Sequence, residues 1–196
     1  CMGAGLNIAQ GVEKVEPDTT CFAFVGDSTF FASAITGVVN AVYNQANMVL
    51  VVLDNSTTAM TGHQPHPGTG RTVMGEIVQK INIEQVLRGI GVTEVETVNP
   101  LELEASVLCV QKMAKKPGVK AIIFKSPCIA VTRPDAPLHV NPDNCIGCKK
   151  CILELGCPSI VLDQGKVCID SSMCTGCGLC SQVCPVHAIT GGASHE

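Results

Sequence analysis

Eight of the thirteen cysteines lie toward the C-terminal end, in two runs of closely similar spacing. The first is Cys145-x2-Cys148-x2-Cys151-x5-Cys157-Pro158, and the second is Cys174-x2-Cys177-x2-Cys180-x3-Cys184-Pro185. Thiolates are soft ligands that select zinc or iron–sulfur centres over hard cations. Structural zinc sites draw on two well-separated C-x2-C pairs. Three cysteines at two-residue intervals, then a fourth next to proline, make the ligand run of a cubane iron–sulfur cluster. Two runs predict two [4Fe-4S] clusters, and with them electrons moved one at a time at low potential.

Where two such clusters share a small domain, the fourth cysteine of each run ligates the other cluster. Applied here, one cluster takes Cys145, Cys148, Cys151 and Cys184, and the other takes Cys174, Cys177, Cys180 and Cys157. Gly147, Gly176 and Gly178 leave room for backbone amides to approach the inorganic sulfurs, an interaction that tunes potential. The first run has five residues before its Cys-Pro where the bacterial pattern has three. That insertion is expected to alter the potential or the occupancy of one site. Cys21 and Cys109 fall in apolar periodic contexts and read as small core residues. Cys168 follows a strand pattern without a partner motif, and Cys1 and Cys128 belong to neither run.

A second constellation lies upstream. Gly26-Asp27-Ser28 follows one apolar run and Asp54-Asn55 follows the next, with twenty-five residues between them. On parallel strands, both would fall at the carboxyl ends, where open α/β sheets bind ligands. A carboxylate and an amide oxygen are hard ligands suited to Mg2+. A helix beginning near Ser28 would direct its N-terminus at a phosphate. Taken alone, Asp27 also reads as a helix N-cap. His63 and His66, in the loop beyond Asn55, are candidate catalytic residues that could shape a pocket or move a proton. A solvated turn is the competing reading for each.

These positions need a scaffold, and the residues between them supply one. Cys21–Val25 and Met48–Leu53 are continuous apolar runs of strand length, as in parallel sheets covered on both faces. Glu94–Val98 and Val119–Phe124 are two further strands. Phe30–Gln45 and Ile83–Ile90 have helical spacing, the latter stopped by Gly91. Asn99-Pro100 starts a helix running to about Lys116, stopped by Pro117-Gly118. Alternating strands and helices predict an α/β fold with a doubly wound parallel sheet. Arg133–Val140, with two prolines, reads as a linker. Beyond it Cys145–Ile160 is echoed by Cys174–Ile189, each copy a strand–turn–helix unit at most. Such a small α+β module has too little apolar core to fold without its clusters. The expected organisation is a ligand-binding domain at 1–132, a linker at 133–140 and a cluster module at 141–192.

Composition narrows the field. The 196 residues are 46% hydrophobic and 15% charged, which predicts packed domains rather than disorder. A net charge of -4, 3% aromatics and no Trp argue against nucleic acid as a partner. The longest apolar runs are too short to span a bilayer. No signal peptide is visible, and thiols at ligand spacing suit a reducing, cytoplasmic compartment better than a disulfide framework. Because it begins at Cys1, inside a Gly-rich segment, the chain is expected to be the C-terminal part of a longer polypeptide.

Gly26-Asp27-Ser28 with Asp54-Asn55 resembles the thiamine diphosphate signature, which opens with Gly-Asp-Gly and closes with Asn-Asn. Ser28 and Asp54 depart from it without removing a side chain that should hold the metal. Met60-Thr61-Gly62-His63-Gln64 resembles the Met-Thr-Gly-x-Gln stretch of the 2-oxoacid:ferredoxin oxidoreductases. Cys1-Met2-Gly3-Ala4 and His63-Gln64-Pro65-His66-Pro67-Gly68 are similar to the α subunit of their indolepyruvate-oxidising branch. In that branch a thiamine-binding domain precedes a two-cluster ferredoxin-like domain. The resemblance implies that Asp27 and Asn55 hold Mg2+ through side-chain oxygens and Thr57 through its backbone carbonyl. It implies that Gly26, Ser28 and Thr29 receive the diphosphate, that Cys1, Met2 and Gly3 belong to the cofactor-binding set, and that Met60 props the thiazolium.

The implied reaction is oxidative decarboxylation of an aryl pyruvate such as indolepyruvate. CO2 leaves, coenzyme A takes the acyl group, and electrons pass through the clusters to ferredoxin, in an α2β2 assembly with a second subunit. Pyruvate, 2-oxoisovalerate and 2-oxoglutarate are the alternatives within the class. A non-catalytic ferredoxin-type electron carrier and a zinc-binding protein are the alternatives outside it. In such enzymes a Glu on a separate pyrimidine-binding domain activates the thiamine, and no second α/β stretch is present in this sequence. The chain alone is therefore expected to bind clusters without turning over.

Overall fold

Strand β2 (Met48–Asp54) opens with five successive buried residues because both of its faces are covered. A computed structural model describes residues 1–191 and divides the chain into two compact units, Cys1–Val131 and Thr132–Glu196. In the first unit β2 lies between β1 (Cys21–Gly26) and β4 (Val119–Lys125), with β3 (Glu94–Val98) beyond β4. All three pairings are parallel. Gly26 stands opposite Leu53, and Leu53 opposite Phe124, so the carboxyl ends of three strands lie level.

Helices cover both faces. On one, α1 (Ala4–Val15), α3 (Ile35–Tyr43) and α4 (Ile83–Ile90) enclose a core that includes Leu6, Phe30, Val38, Leu50 and Leu87. On the other, α5 (Leu103–Ala114) brings Cys109 and Met113 onto Val49, Val51 and Ile122. The result is the doubly wound parallel sheet that the alternating pattern predicts.

Element boundaries follow local chemistry. Asn82 caps α4 by accepting the Gln85 N–H at 3.1 Å, and Gly91 stops it with φ 110°. Helix α5 starts at Leu103 rather than at Asn99. The Asn99 side chain accepts the Leu101 N–H and its carbonyl accepts the Glu102 N–H, both at 3.0 Å, which holds the chain in a turn first. The helix expected over Phe30–Gln45 is not uniform: α2 (Asp27–Thr29) passes into a π turn (Phe30–Ala34) before α3. Helix α1 had no counterpart in the sequence reading, since Gly5 and Gly11 weaken its period. Its face of Leu6, Ala9, Gln10 and Glu13 is nevertheless buried. Gln10 donates to the Gly37 carbonyl at 3.1 Å and accepts from Asn40 at 2.6 Å. A Cβ at Gly37 would stand 2.7 Å from Leu6 Cδ2, so α1 and α3 meet where a side chain is missing.

In the second unit the segment read as a linker ends in strand β5 (Leu138–Val140). Each copy of the repeat runs strand, loop, helix, strand. The first comprises β5, α6 (Lys150–Leu153) and β6 (Ile160–Asp163). The second comprises β7 (Lys166–Ile169), α7 (Leu179–Val183) and β8 (Ile189–Gly191). Pairing crosses the copies: β5 is antiparallel to β8, and β6 to β7. Gln164 and Gly165, both with positive φ, form the tight turn between β6 and β7. The buried apolar residues here are few, among them Leu138, Ile160, Val167, Val183 and Ile189. Residue 192, the last of the expected cluster module, lies outside the described residues. Among the described residues no helix is long and apolar enough to cross a membrane.

Candidate functional site

At the end of β1 the chain turns into α2 at Asp27, whose side chain is buried (2% exposed). Its Oδ1 accepts the Ser28 N–H at 2.7 Å and its Oδ2 the Ser56 N–H at 2.8 Å. The second bond ties the end of β1 to the loop after β2. Ser56 reaches it with a left-handed φ of 61°, and Asp54 Oδ1 accepts the same N–H at 3.1 Å. Across the next strand end, Lys125 Nζ lies 3.6 Å from Asp54 Oδ2. Burial pushes the Asp27 carboxyl up from its ordinary value. The Ser28 N–H and His66 pull it down, while Asp54 adds to the rise. A buried carboxylate held in this way gains from a compensating cation.

His66 stands over the same carboxylate. Its buried Nε2 is 3.1 Å from Asp27 Oδ2, but off the line a hydrogen bond requires, so it has no hydrogen-bond partner among the described residues. The contact is one of charge and dipole. Nδ1 accepts the Gly68 N–H at 3.2 Å, which assigns the proton of the neutral ring to Nε2, facing Asp27. Phe31, on the π turn, stacks on the ring with centroids 5.7 Å apart.

The remaining sequence-predicted residues divide. Asn55 Oδ1 accepts the Thr57 N–H at 3.1 Å, and its carbonyl accepts the Cys128 N–H at 2.9 Å. Thr57 is buried, and Thr58 Oγ1 donates to Ser28 Oγ at 3.0 Å. Ser33 Oγ donates to the Met2 carbonyl at 3.1 Å, which draws Cys1–Gly3 onto the π turn that follows Thr29. Met60 is fully exposed on a 3-10 turn at Ala59–Thr61, and His63 is exposed with φ 62°. The structure therefore gathers Asp27, Ser28, Ser56, Thr58 and His66, and leaves Met60 and His63 facing outward. The contacts of His66 with Asp27 and of Thr58 with Ser28 join residues far apart in the chain, and no spacing rule announces them. The oxygens of Asp27, Asn55 and Thr57 make a hard donor set at neighbouring strand ends, which fits a divalent cation. Each Asp27 oxygen accepts one backbone N–H, and a carboxylate oxygen carries a second lone pair.

In the second unit the thiols gather by fours. Cys145, Cys148, Cys151 and Cys184 line one cavity. Burial raises Cys151, and the nearby thiols of Cys148 and Cys184 raise it further. Burial, then Cys177, Cys174 and Cys157, push Cys180 up to about 11. Thiols that resist ionisation alone are relieved by a cationic cluster core. The longer spacing of the first run is absorbed after α6, where the Gly156 N–H reaches the Ile152 carbonyl at 3.2 Å with φ 57°. That extra turn returns Cys157 to the neighbourhood of Cys180. Backbone N–H groups of Leu138 and Ala188 point at Cys174 and Cys184 sulfurs at 3.5 and 3.3 Å. Among the described residues no three His, Cys, Asp or Glu close on one point as a single ion requires. A cubane cluster offers separate iron corners and takes its thiolates from further apart.

Residues 1–124 match the family of the thiamine pyrophosphate enzyme C-terminal TPP-binding domain, and residues 167–190 match the 4Fe-4S binding domain. The chain belongs to the thiamine pyrophosphate enzymes through that C-terminal domain, and it carries a ferredoxin-type 4Fe-4S motif. More particularly, it is 40% identical over 195 residues to the indolepyruvate oxidoreductase subunit IorA of Archaeoglobus fulgidus, which covers 96% of this chain and 31% of that protein. It is 43% identical over 191 residues to IorA of Methanothermobacter marburgensis, again over 96% of this chain and 31% of the relative. The chain thus spans about a third of the length of these relatives. In fold, 65% of it overlays 46% of the chain of a 2-oxoglutarate:ferredoxin oxidoreductase from Magnetococcus marinus, with TM-score 0.58 and 19% identity.

Proposed function

We propose that this chain is the cofactor-bearing part of a thiamine diphosphate-dependent 2-oxoacid:ferredoxin oxidoreductase acting on indolepyruvate. One observation carries the reading: a buried Asp27, bonded across two strand ends, shares a chain with two sets of four gathered cysteines. A plain electron carrier has no use for the first, and a thiamine decarboxylase without electron transfer has no use for the second.

Thiamine diphosphate, when bound, supplies the electron sink that lets a 2-oxoacid lose CO2. This chain's residues hold it. Asp27 and Asn55 offer side-chain oxygens and Thr57 its carbonyl to Mg2+. Gly26, Ser28 and Thr29, with Cys1, Met2 and Gly3 alongside, receive the diphosphate. Met60, exposed in this chain, is left to meet the thiazolium, and His66 steadies Asp27. The domains are residues 1–132 for thiamine and 141–192 for two [4Fe-4S] clusters, one on Cys145, Cys148, Cys151 and Cys184, the other on Cys174, Cys177, Cys180 and Cys157. Coenzyme A takes the acyl group, ferredoxin the electrons, and the remainder of the enzyme, with a second subunit, supplies the Glu that activates the cofactor. Such an enzyme works in the reducing cytoplasm.

The test has two stages. Calorimetric titration of thiamine diphosphate and Mg2+ into the chain and its Asp27→Ala variant should show binding that the substitution abolishes. Equal heats, or none in either, would leave the electron-carrier reading in place. The complete oxidoreductase should then reduce ferredoxin with indolepyruvate and coenzyme A faster than with pyruvate, 2-oxoisovalerate or 2-oxoglutarate. Preference for one of those three would reassign the substrate.

A further inference from the structure

The two cysteine runs are near copies, but their surroundings are not. In the second run no residue from 174 to 180 is exposed, while in the first every residue from 146 to 150 is. The cause is the segment that leads into β5. Its Asp135 N–H donates to the Thr175 carbonyl at 3.1 Å, and a Cβ at Gly176 would stand 2.7 Å from the Ala136 carbonyl oxygen. A Cβ at Gly147, the matching position, would meet nothing within 4 Å. The second loop is roofed and the first is open.

Charge follows the same division. Between the second and third cysteines the first run carries Lys149-Lys150, where the second carries Gly178-Leu179. Both lysines line the cavity bounded by the first run and Cys184. Lys150 lies 3.6 Å from Glu154, and Lys149 makes no ion pair among the described residues. Lys149 also holds a φ of 59° where its counterpart is Gly178 at 76°, a conformation disfavoured for any residue with a Cβ. The second run has no charged residue between Cys174 and Cys180, and the segment that roofs it carries one of each sign, Arg133 and Asp135.

Reducing a cluster adds one negative charge to a centre already surrounded by four thiolates. Water and ammonium groups stabilise that charge; a roofed loop with no cation of its own does so less. The open, lysine-lined site is also the one an external carrier can approach. We propose that the cluster on Cys145, Cys148, Cys151 and Cys184 has the higher potential and is the exit, and that the Ile146–Lys150 surface seats an acidic one-electron carrier protein. Lys149 and Lys150 steer the acidic partner, and Ile146 and Leu153, 66% and 80% exposed, supply apolar contact. In each transfer one electron leaves the reduced cluster and enters the oxidised carrier, with no bond made and no proton moved, and two such transfers, to two carrier molecules, carry away the two electrons of one turnover. The inference rests on the two-cluster reading above.

The experiment uses the complete oxidoreductase, with iron and sulfide analysis and a redox titration followed by electron paramagnetic resonance. In a Lys149→Gln, Lys150→Gln variant one midpoint potential should fall while the other stays. Its KM for an acidic ferredoxin should rise about tenfold and lose salt dependence. Two cluster signals whose potentials and carrier KM ignore the substitutions would overturn this proposal alone. A single cluster in the unsubstituted enzyme would instead overturn the two-cluster reading beneath it. If the double variant loses iron, Lys149→Gly copies the second run and relieves the backbone, and must still lower one potential.

Discussion

Asp27 does two jobs, and His66 separates them. As a structural residue it bonds the ends of β1 and β2; in its proposed role as a ligand it must keep a lone pair free and aimed. Its oxygens are turned by backbone N–H groups, and His66 lies against the one shared with Ser56. A His66→Phe variant keeps the stack on Phe31 but removes the Nε2 proton. It should weaken Mg2+ and thiamine diphosphate binding by about 10–100-fold, the usual cost of losing a residue that orients a ligand, read by calorimetry. Lys120 permits a separate test in the same unit. It is buried (1% exposed) with Nζ donating to Asn47 at 2.7 Å, and burial lowers its pKa against an opposing pull from Glu13. With the folded value below the unfolded one, the unfolded chain binds more protons in between, so stability rises with pH toward about 10.4. Urea midpoints of the parent, relative to Lys120→Met, should therefore climb as the pH is raised toward the unfolded value of about 10.4. The places of Asp27 and Asn55 at neighbouring strand ends were legible in the sequence, because the apolar runs before them mark the strands. The contact of His66 with Asp27 was not, because only the folded loop brings it back across that carboxylate.

Elements were readable wherever local rules agreed with packing. Helix α4 begins and ends at its cap residues, and β2 shows its double burial as an unbroken apolar run. Reading failed where a side chain or its absence acts over distance. The turn at Asn99 delays α5, and the glycines that hid α1 leave its buried face dependent on contact with α3. The cluster loops extend the lesson, since Gly147 and Gly176 look alike in the sequence and have φ of 69° and 75°. Gly147→Ala meets only the strain of its backbone conformation, on the order of 1–2 kcal/mol. Gly176→Ala adds a collision with the Ala136 backbone. Iron analysis should find Gly147→Ala near the parent level and Gly176→Ala at about half of it, through loss of the second site.

At the scale of the molecule, the two units differ in what holds them. The first has two helical layers on a sheet and a core of its own. The second buries few side chains, and its cysteines count among them: Cys151 and Cys180 are 8% exposed. Ligand spacing made that division legible, whereas the pairing of strands across the copies was not, because β5 and β8 are too short to carry a pattern. That pairing has a topological consequence. With β5 beside β8, Leu138 lies opposite Gly191, so the first and last strands of the unit are neighbours. The order of the copies along the polypeptide is then a matter of wiring rather than of architecture. A circular permutant of the unit, opened at the Gln164-Gly165 turn and rejoined by a short glycine linker from β8 to β5, should take up the same iron and sulfide per chain as the unpermuted unit. Failure to do so would mean that the β6–β7 turn is needed to bring the two sets of thiols together.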